Sequence, residues 1–432
     1  SDGGIVSADQ ARRRAILLAL SGPAAGVIGA QHEARLAGFD HIITLDIGGT
    51  STDVALCPGE LILRPESQID GLPLRTRMLD IETIGAGGGS LAWIDSGGAL
   101  RVGPASAGAD PGPIVYGRGG TQITVSDANA LLGRLDADHF LGGAMKLDLA
   151  ASQSAFKAFA DHLHLTPEQA ALGVIEVANA NIERALRRVS VARGYDPRGF
   201  TLVAFGGAGG LHACEVAARL SIPRVLIPRY PGVMCALGLL AADIRREYSQ
   251  AIMRPLDEAC LRAVGDAFEM LTTQAVDELT PQQERETAIT LEYSLDARYR
   301  GQAYELNIPY TTDTLPETAF HQAHERAYGY RLEDRPIEIV SVRVGAIIRT
   351  SQPSVIPEHE HPNNGANALI GTKPIRFIDG IHPARLYDRD QLMPGARIDG
   401  AALCFQLDST TLIPPEWKAH VDGFRNLIIE PA

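Results

Sequence analysis

The sequence predicts an α/β fold: a mixed sheet flanked by helices, followed by α+β and β-rich C-terminal modules. Three observations lead there. Apolar, β-branched segments at residues 42–45, 200–205 and 224–228 alternate with helical stretches, the pattern of a largely parallel or mixed sheet with helices on its faces. Two of these strands run directly into glycine clusters, at residues 48–49 and 206–210. Beyond about residue 249 the pattern changes to helices followed by long alternating strands, and from about 353 to short strands broken by Pro-Gly and Asp-Gly turns. The expected units are therefore 1–248, 249–352 and 353–432.

The elements follow in order. Residues 8–37 read as mostly helical, with a break at Ser21-Gly22-Pro23 before a second, small-residue helix. The strand at 42–45 enters the Gly48-Gly49 turn, and residues 54–56 and 61–63 are expected to form a hairpin across Pro58-Gly59. Residues 85–120 are rich in Gly, Ala, Ser and Pro and read as loops around a site. A long amphipathic helix is expected over 167–193, because Ile175, Ala178, Ile182, Leu186 and Val189 recur at spacings of three and four, with Gly194 ending it. The strand at 200–205, the loop at 206–210, a helix at 211–220 and a strand at 224–228 complete the series. Farther on, strands are expected at 289–299, 303–308 and 337–348.

Composition bounds the function. With 432 residues, 45% hydrophobic and 21% charged, the chain has enough apolar material for two or three packed units. Its net charge of −13, without a basic run, argues against nucleic-acid binding, so any phosphate must be held by backbone dipoles or a metal. The five cysteines are scattered, with no CxxC pair, and read as reduced thiols of a cytoplasmic protein. No apolar stretch reaches the ~18 residues of a membrane span.

The segment Asp46-Ile47-Gly48-Gly49-Thr50-Ser51-Thr52-Asp53 carries the clearest chemistry. Its glycines let backbone amides approach a phosphate and supply unusual φ values, and Thr50, Ser51 and Thr52 add hydroxyl donors. Asp46 and Asp53 cannot meet phosphate without a cation between, so Asp46 is the candidate Mg²⁺ ligand and both are candidate catalytic carboxylates. The loop lacks the lysine of a Walker A sequence and is not the G-x-G-x-x-G fingerprint. A tight hairpin turn with satisfied aspartates would read the same way. The second cluster, Gly206-Gly207-Ala208-Gly209-Gly210, lies between a strand and a helix, where glycine admits a flat ligand such as purine and ribose, or simply close helix packing.

The two clusters in this order resemble the phosphate and adenosine segments of the actin and sugar-kinase superfamily. Ser21-Gly22-Pro23-Ala24-Ala25-Gly26, the 46–53 loop, Ile84-Gly85-Ala86-Gly87-Gly88-Gly89-Ser90, the Gly103 to Pro113 stretch, Ser126-Asp127-Ala128-Asn129, residues 205–212 and Tyr299-Arg300-Gly301-Gln302 with Glu305 narrow the resemblance to the hydantoinase A and 5-oxoprolinase family. That resemblance implies an actin-like (ribonuclease H-like) ATPase domain and ATP- and Mg²⁺-dependent opening of a cyclic amide, through a phosphorylated amide oxygen. It also implies a B-type partner subunit or fused B domain, and an oligomer. Acetone and acetophenone carboxylases are similar relatives, and a nucleotide-binding regulatory module without turnover is a further alternative. Family members start with another Asp-Gly-Gly-Thr loop. None precedes Asp46, and the opening Ser1-Asp2-Gly3-Gly4 reads as mid-sequence, so an N-terminally truncated chain of low activity by itself is expected. Where the family places Cys after Pro113, this chain has Ile114-Val115, which excludes a thiol there.

The resemblance and the spacing together give the candidate nucleotide-binding residues Gly48, Gly49, Thr50, Ser51, Thr52, Gly206, Gly207, Ala208 and Gly209. Weaker candidates for a substrate or loop site are Gly87, Gly88, Asp110, Asp127 and His212. For Asp127 a helix cap is the better reading, and for His212 an ordinary hydrogen bond.

Overall fold

The computed structural model describes residues 2–64, 67–69, 72–74, 77–280, 288–353 and 355–432, so Ser1 lies outside it. The chain forms two compact units. One gathers Gly22–Ile62, Leu79–Leu240 and Pro353–Ala432, and the other Ser1–Ser21, Leu63–Met78 and Ala241–Gln352. This partition differs from the expected three units: the C-terminal 80 residues join the first unit through strand pairing.

In the larger unit, α2 (Ser21–Leu36) leads into β1 (His41–Ile47), β2 (Thr52–Pro58) and β3 (Ile81–Ile84). The helices α3 (Val125–Leu131), α4 (Leu149–Leu163) and α5 (Pro167–Val189) follow, then β4 (Thr201–Phe205), α6 (Gly209–Arg219), β5 (Arg224–Ile227) and α7 (Met234–Ala241). The smaller unit holds α1 (Ala8–Arg13), β6 (Ile244–Pro255), α8 (Glu258–Leu279), β7 (Ile289–Tyr299), β8 (Leu306–Pro309), α9 (Pro316–Tyr328) and β9 (Ile337–Ile348). The chain then returns to the larger unit with β10 (Leu369–Phe377), β11 (Gly380–Asp388), β12 (Arg397–Asp399), β13 (Ala402–Phe405), β14 (Thr410–Ile413), β15 (Trp417–Val421) and β16 (Leu427–Pro431).

The principal sheet has eight strands in the order β12-β15-β16-β5-β4-β1-β2-β3. Its centre, β1-β4-β5, is parallel, and antiparallel strands flank it on both sides. The central strands are buried on both faces, which explains their continuous apolar runs in place of alternation. The expected hairpin across Pro58-Gly59 is absent: β2 pairs instead with β1 and β3, because a longer antiparallel register buries both faces of Val54, Ala55 and Leu56.

The helix α5 forms as its sequence dictates. Thr166 and Gln169 close a capping box, Pro167 occupies the first turn, and Ile175, Ala178, Ile182, Leu186 and Val189 are all buried. Its lower half packs on the central strands and its upper half on α3 and α4. Ser21-Gly22-Pro23, read as a break, is the first turn of α2, where proline is tolerated because that N–H has no helical acceptor. A second sheet of the larger unit, β10-β11-β13-β14, packs against Leu211 on α6.

In the smaller unit the four-stranded antiparallel sheet β6-β9-β7-β8 is covered by α8 and α9 around Phe268, Leu271, Phe320 and Val342. Among the described residues no helix is long and apolar enough to cross a membrane.

Candidate functional site

The candidate loop is the turn of the β1-β2 hairpin, the tight turn that the sequence also allowed. Asp46 and Asp53 sit opposite each other in the ladder, and the Gly48 N–H donates to the Ser51 carbonyl at 3.1 Å to close the turn. Burial, reinforced by the like charge of Asp53, pushes the Asp46 carboxyl up to about 6. Burial also raises Asp53, opposed by the Thr83 hydroxyl, which donates to its Oδ1 at 2.5 Å.

Gly48 and Gly49 do not adopt the unusual φ expected of them. A Cβ on Gly48 would meet only the Ser51 carbonyl oxygen, at 3.9 Å, and one on Gly49 would meet nothing within 4 Å. The folded chain itself therefore does not require glycine at either position. Thr52 is buried and its hydroxyl donates to the Ala86 carbonyl, Ser51 is half-buried, and Thr50 is exposed.

A second glycine segment lies across this turn. The Gly88 N–H donates to the Gly48 carbonyl at 3.0 Å, and the Gly89 N–H to the Gly49 carbonyl at 2.6 Å. Here glycine is required by packing, since a Cβ on Gly87 would stand 2.8 Å from the Gly48 oxygen. The third segment bonds to the end of β1 through the Ala208 N–H and the Ile47 carbonyl, at 3.0 Å. Gly206 has φ +77°, and a Cβ there would collide with the Asp46 carboxylate and the Ile47 oxygen. Gly207 has room, its nearest neighbour being the Asp408 carbonyl oxygen at 3.5 Å. No side chain caps α6, whose first turn holds Gly209 and Gly210 against Leu45, Ala204 and Thr410. An uncapped helix start presents free amides and the positive end of the macrodipole, which together suit an anion.

Gly48, Gly49, Gly88, Gly207 and Ala208 thus share one wall of a cavity of about 210 Å³. Gly206 and Gly209 support that wall from behind, and Gly87, Thr50, Ser51 and Thr52 do not line it. Neither do Asp110, Asp127 or His212. Asp110 is exposed. Asp127 is buried in the capping box of α3, where its carboxylate accepts from the backbone N–H of Val115 at 2.7 Å and of Thr124 at 2.8 Å; burial raises it, opposed by the Thr124 hydroxyl.

His212 is fully enclosed, donating through Nδ1 to Asn179 Oδ1 at 2.7 Å and accepting at Nε2 from Asn129 at 3.5 Å. Burial lowers it to about 4, so it is neutral near pH 7. Asn179 also donates to Glu215 at 2.8 Å, and Glu215 pairs bidentately with the buried Arg134. This network ties α3, α5 and α6 together beneath the cavity.

The rest of the cavity lining was not visible in the sequence. It is built by Tyr116, by the 135–141 loop after α3 and by residues 405–410 linking β13 to β14. The only local signal was Asp136-x-x-His139, whose side chains meet at 2.7 Å.

The sequence model of the hydantoinase/oxoprolinase family matches residues 1–248, and that of the family's C-terminal domain matches residues 256–430. The chain belongs to the hydantoinase/oxoprolinase family. Among its hydantoinase/oxoprolinase relatives, the caprolactamase subunit alpha of Pseudomonas jessenii is 34% identical over 98% of this chain and 63% of its own length. The acetone carboxylase beta subunit of Xanthobacter autotrophicus is 33% identical over 94% of this chain and 60% of its own. The 5-oxoprolinase 1 of Arabidopsis thaliana is 32% identical over the whole of this chain and 35% of its own. The chain therefore spans less than two thirds of these relatives. The crystal structure of the ATP-dependent caprolactamase of P. jessenii superimposes with a TM-score of 0.82 at 32% identity, covering 95% of this chain and 61% of that one. The nucleotide-free structure of an acetone carboxylase does so with a TM-score of 0.79 at 29% identity and the same coverage. The mixed α/β architecture is thus that of ATP-dependent members of this family.

Proposed function

We propose that this chain forms part of the ATP site of an enzyme that opens a cyclic amide, such as a lactam, hydantoin or 5-oxoproline, by phosphorylating the amide oxygen. One observation carries the reading: Gly48, Gly49 and Gly207 border a cavity at an uncapped helix start, yet the fold places nothing closer than 3.5 Å to where their side chains would begin. Space left by the protein for its own backbone amides is what a phosphate chain needs.

An amide is a poor electrophile because its nitrogen feeds electrons to the carbonyl. Transfer of the terminal phosphoryl group to oxygen removes that protection; water adds to the carbon, the ring C–N bond breaks as the nitrogen takes a proton, and a second water hydrolyses the resulting acyl phosphate to carboxylate and free phosphate. The backbone amides of the loops and the α6 terminus would stabilise phosphate charge.

Asp46 and Asp53 fit a divalent cation. Burial together with mutual repulsion makes their paired ionisation unfavourable, and a cation relieves both. Among the described residues no group of three or more metal-binding side chains exists, so one or two carboxylates would hold Mg²⁺ and leave the remaining positions to phosphate oxygens and water, as that ion prefers. It would neutralise phosphate charge. The five unbridged cysteines suit a reducing compartment such as the cytoplasm.

The relatives' names support two substrate readings, the second being carboxylation of a ketone with this chain as one subunit. In either, a B-type partner subunit completes the enzyme. The test is phosphate release from ATP by the chain combined with that partner. Stimulation by a lactam or hydantoin supports ring opening, stimulation only by ketone plus bicarbonate supports carboxylation, and ATP binding without either indicates a regulatory module.

A further inference from the structure

We infer that the smaller unit holds a ligand site of its own, a cavity at the edge of its sheet where Arg14 and Arg246 converge to take a compact anion of two or more charges. Every residue of the lining belongs to that unit, so the inference stands apart from the nucleotide reading.

The cavity measures about 540 Å³, within the range of small-molecule sites. It follows from the place of β6 in the sheet. Side chains alternate between the two faces along a strand, yet residues 245–249 of β6 all line this one space. Only an edge strand can offer both of its faces to a single cavity, and β6 is such an edge. Ile5 bridges to Ile244, and among the described residues no strand pairs with the outer side of β6 beyond that bridge. The outward N–H groups of an unpaired edge add neutral donors.

The side chains give the cavity its sign. Six guanidinium groups line it against three carboxylates, in a chain whose net charge is −13. Arg77 and Arg343 divide the single carboxylate of Glu247, at 3.2 and 2.5 Å. Arg343 and Arg245 also reach carboxylates outside the lining, Asp296 at 2.5 Å and Glu292 at 2.7 Å, so the excess is concentrated at the remaining arginines. Arg246 is buried and anchored, donating through Nη1 to the carbonyls of Ile5 at 2.7 Å and Arg245 at 2.8 Å. Neutral carbonyls position that charge without cancelling it, and Asp2 and Glu278 are the carboxylates within its range. Glu278 is shared, since it also accepts from the Tyr248 hydroxyl at 3.0 Å. Burial and that bond push the phenol up, while Arg246 and Arg14 oppose the rise, so both guanidiniums act on the same hydroxyl. Arg14 directly follows α1 and is exposed, and among the described residues no hydrogen bond or ion pair takes up its side chain. An anchored cation and an unengaged one thus meet at one polar spot. An anion with two charges satisfies both, through the charge-assisted hydrogen bonds that guanidinium makes to carboxylate and to phosphate alike.

Calorimetric titration of the 432-residue chain with citrate and with pyrophosphate tests the site, in Mg²⁺-free buffer and at constant ionic strength because salt screens such contacts. Arg14→Gln should weaken binding about tenfold, the order lost with one charged hydrogen-bonding group, and Arg14→Glu should weaken it further. Arg12→Gln, on α1 but outside the lining, should change it less than about twofold. Circular dichroism confirms that each variant is folded. Tighter binding of citrate or of pyrophosphate supports the site and identifies carboxylate or phosphate as the charged group it prefers. Failure of the unmodified chain to bind either probe overturns the inference. So does binding that survives both Arg14 substitutions, which puts the anion elsewhere, or an equal loss in Arg12→Gln, which reduces the effect to diffuse charge.

Discussion

Replacing adjacent glycines, Gly206→Ala and Gly207→Ala, separates what the fold requires from what a ligand requires. At Gly206 φ is +77°, which costs an L-residue roughly 1–2 kcal/mol. The new methyl would stand 2.5 Å from the Ile47 carbonyl oxygen and closer still to Asp46, an overlap that typically costs about 1–3 kcal/mol as the backbone yields. Gly206→Ala should therefore destabilise the larger unit by about 2–5 kcal/mol. Gly207 has neither problem, so its alanine should leave stability unchanged or raise it by about 0.4–1 kcal/mol through a less flexible unfolded chain. Its methyl nevertheless borders the cavity, and ATP affinity should fall. Both tryptophans, Trp93 and Trp417, belong to this unit, so urea unfolding followed by their fluorescence reports on it selectively. Calorimetry supplies the affinities. Wild-type stability in Gly206→Ala, or wild-type ATP affinity in a folded Gly207→Ala, would refute the reasoning.

Asp46→Asn should abolish amide-dependent phosphate release in the complete enzyme while improving stability near neutral pH. Because the folded carboxyl is raised to about 6, its contribution is fully present below pH 4 and lost as pH rises through 6, so urea midpoints of wild type and variant should diverge across that window in the variant's favour. His212 runs the other way: lowered to about 4, it lends stability above its ordinary value near 6.5 that disappears as pH falls through 4. The stability gap between wild type and His212→Gln should accordingly narrow between pH 6.5 and 4. Arg134→Met leaves Glu215 with Asn179 but without its cationic partner and should destabilise the larger unit by about 3–5 kcal/mol; a loss below 1 kcal/mol in the same urea assay would contradict a tightly coupled pair.

The sequence was most legible where local rules act alone. α5 announced itself through Thr166, Gln169 and Pro167 at its start and five apolar residues on one face. β1 and β4, with their glycine turns, were equally plain, because a strand ending in glycines is a contiguous signal. The boundary at residue 353 falls where the chain passes from one unit to the other, but nothing in Leu427-Ile428-Ile429 states that its ladder partner is Val225 to Ile227. Strand partners across such distances depend on which edge remains open after the rest has packed. The rest of the cavity lining was hidden for the same reason: Asp136, His139 and Phe405 come together where the second sheet packs on α6 and α3. Glycine itself was ambiguous. Gly206 and Gly87 answer to sterics within the protein, Gly48 and Gly49 to none.

The pairing of β5 with β16 also bears on synthesis. β5 ends at Ile227 and its outer neighbour begins at Leu427, so at the usual pace of translation the edge of β5 stays uncovered for about 10–40 s after it leaves the ribosome. During that interval its backbone donors and acceptors are open to pairing with another nascent chain, the hazard attached to any unprotected edge. A ribosome stalled before residue 427 would hold the larger unit in this state, making it a substrate for chaperones until the final strand is delivered.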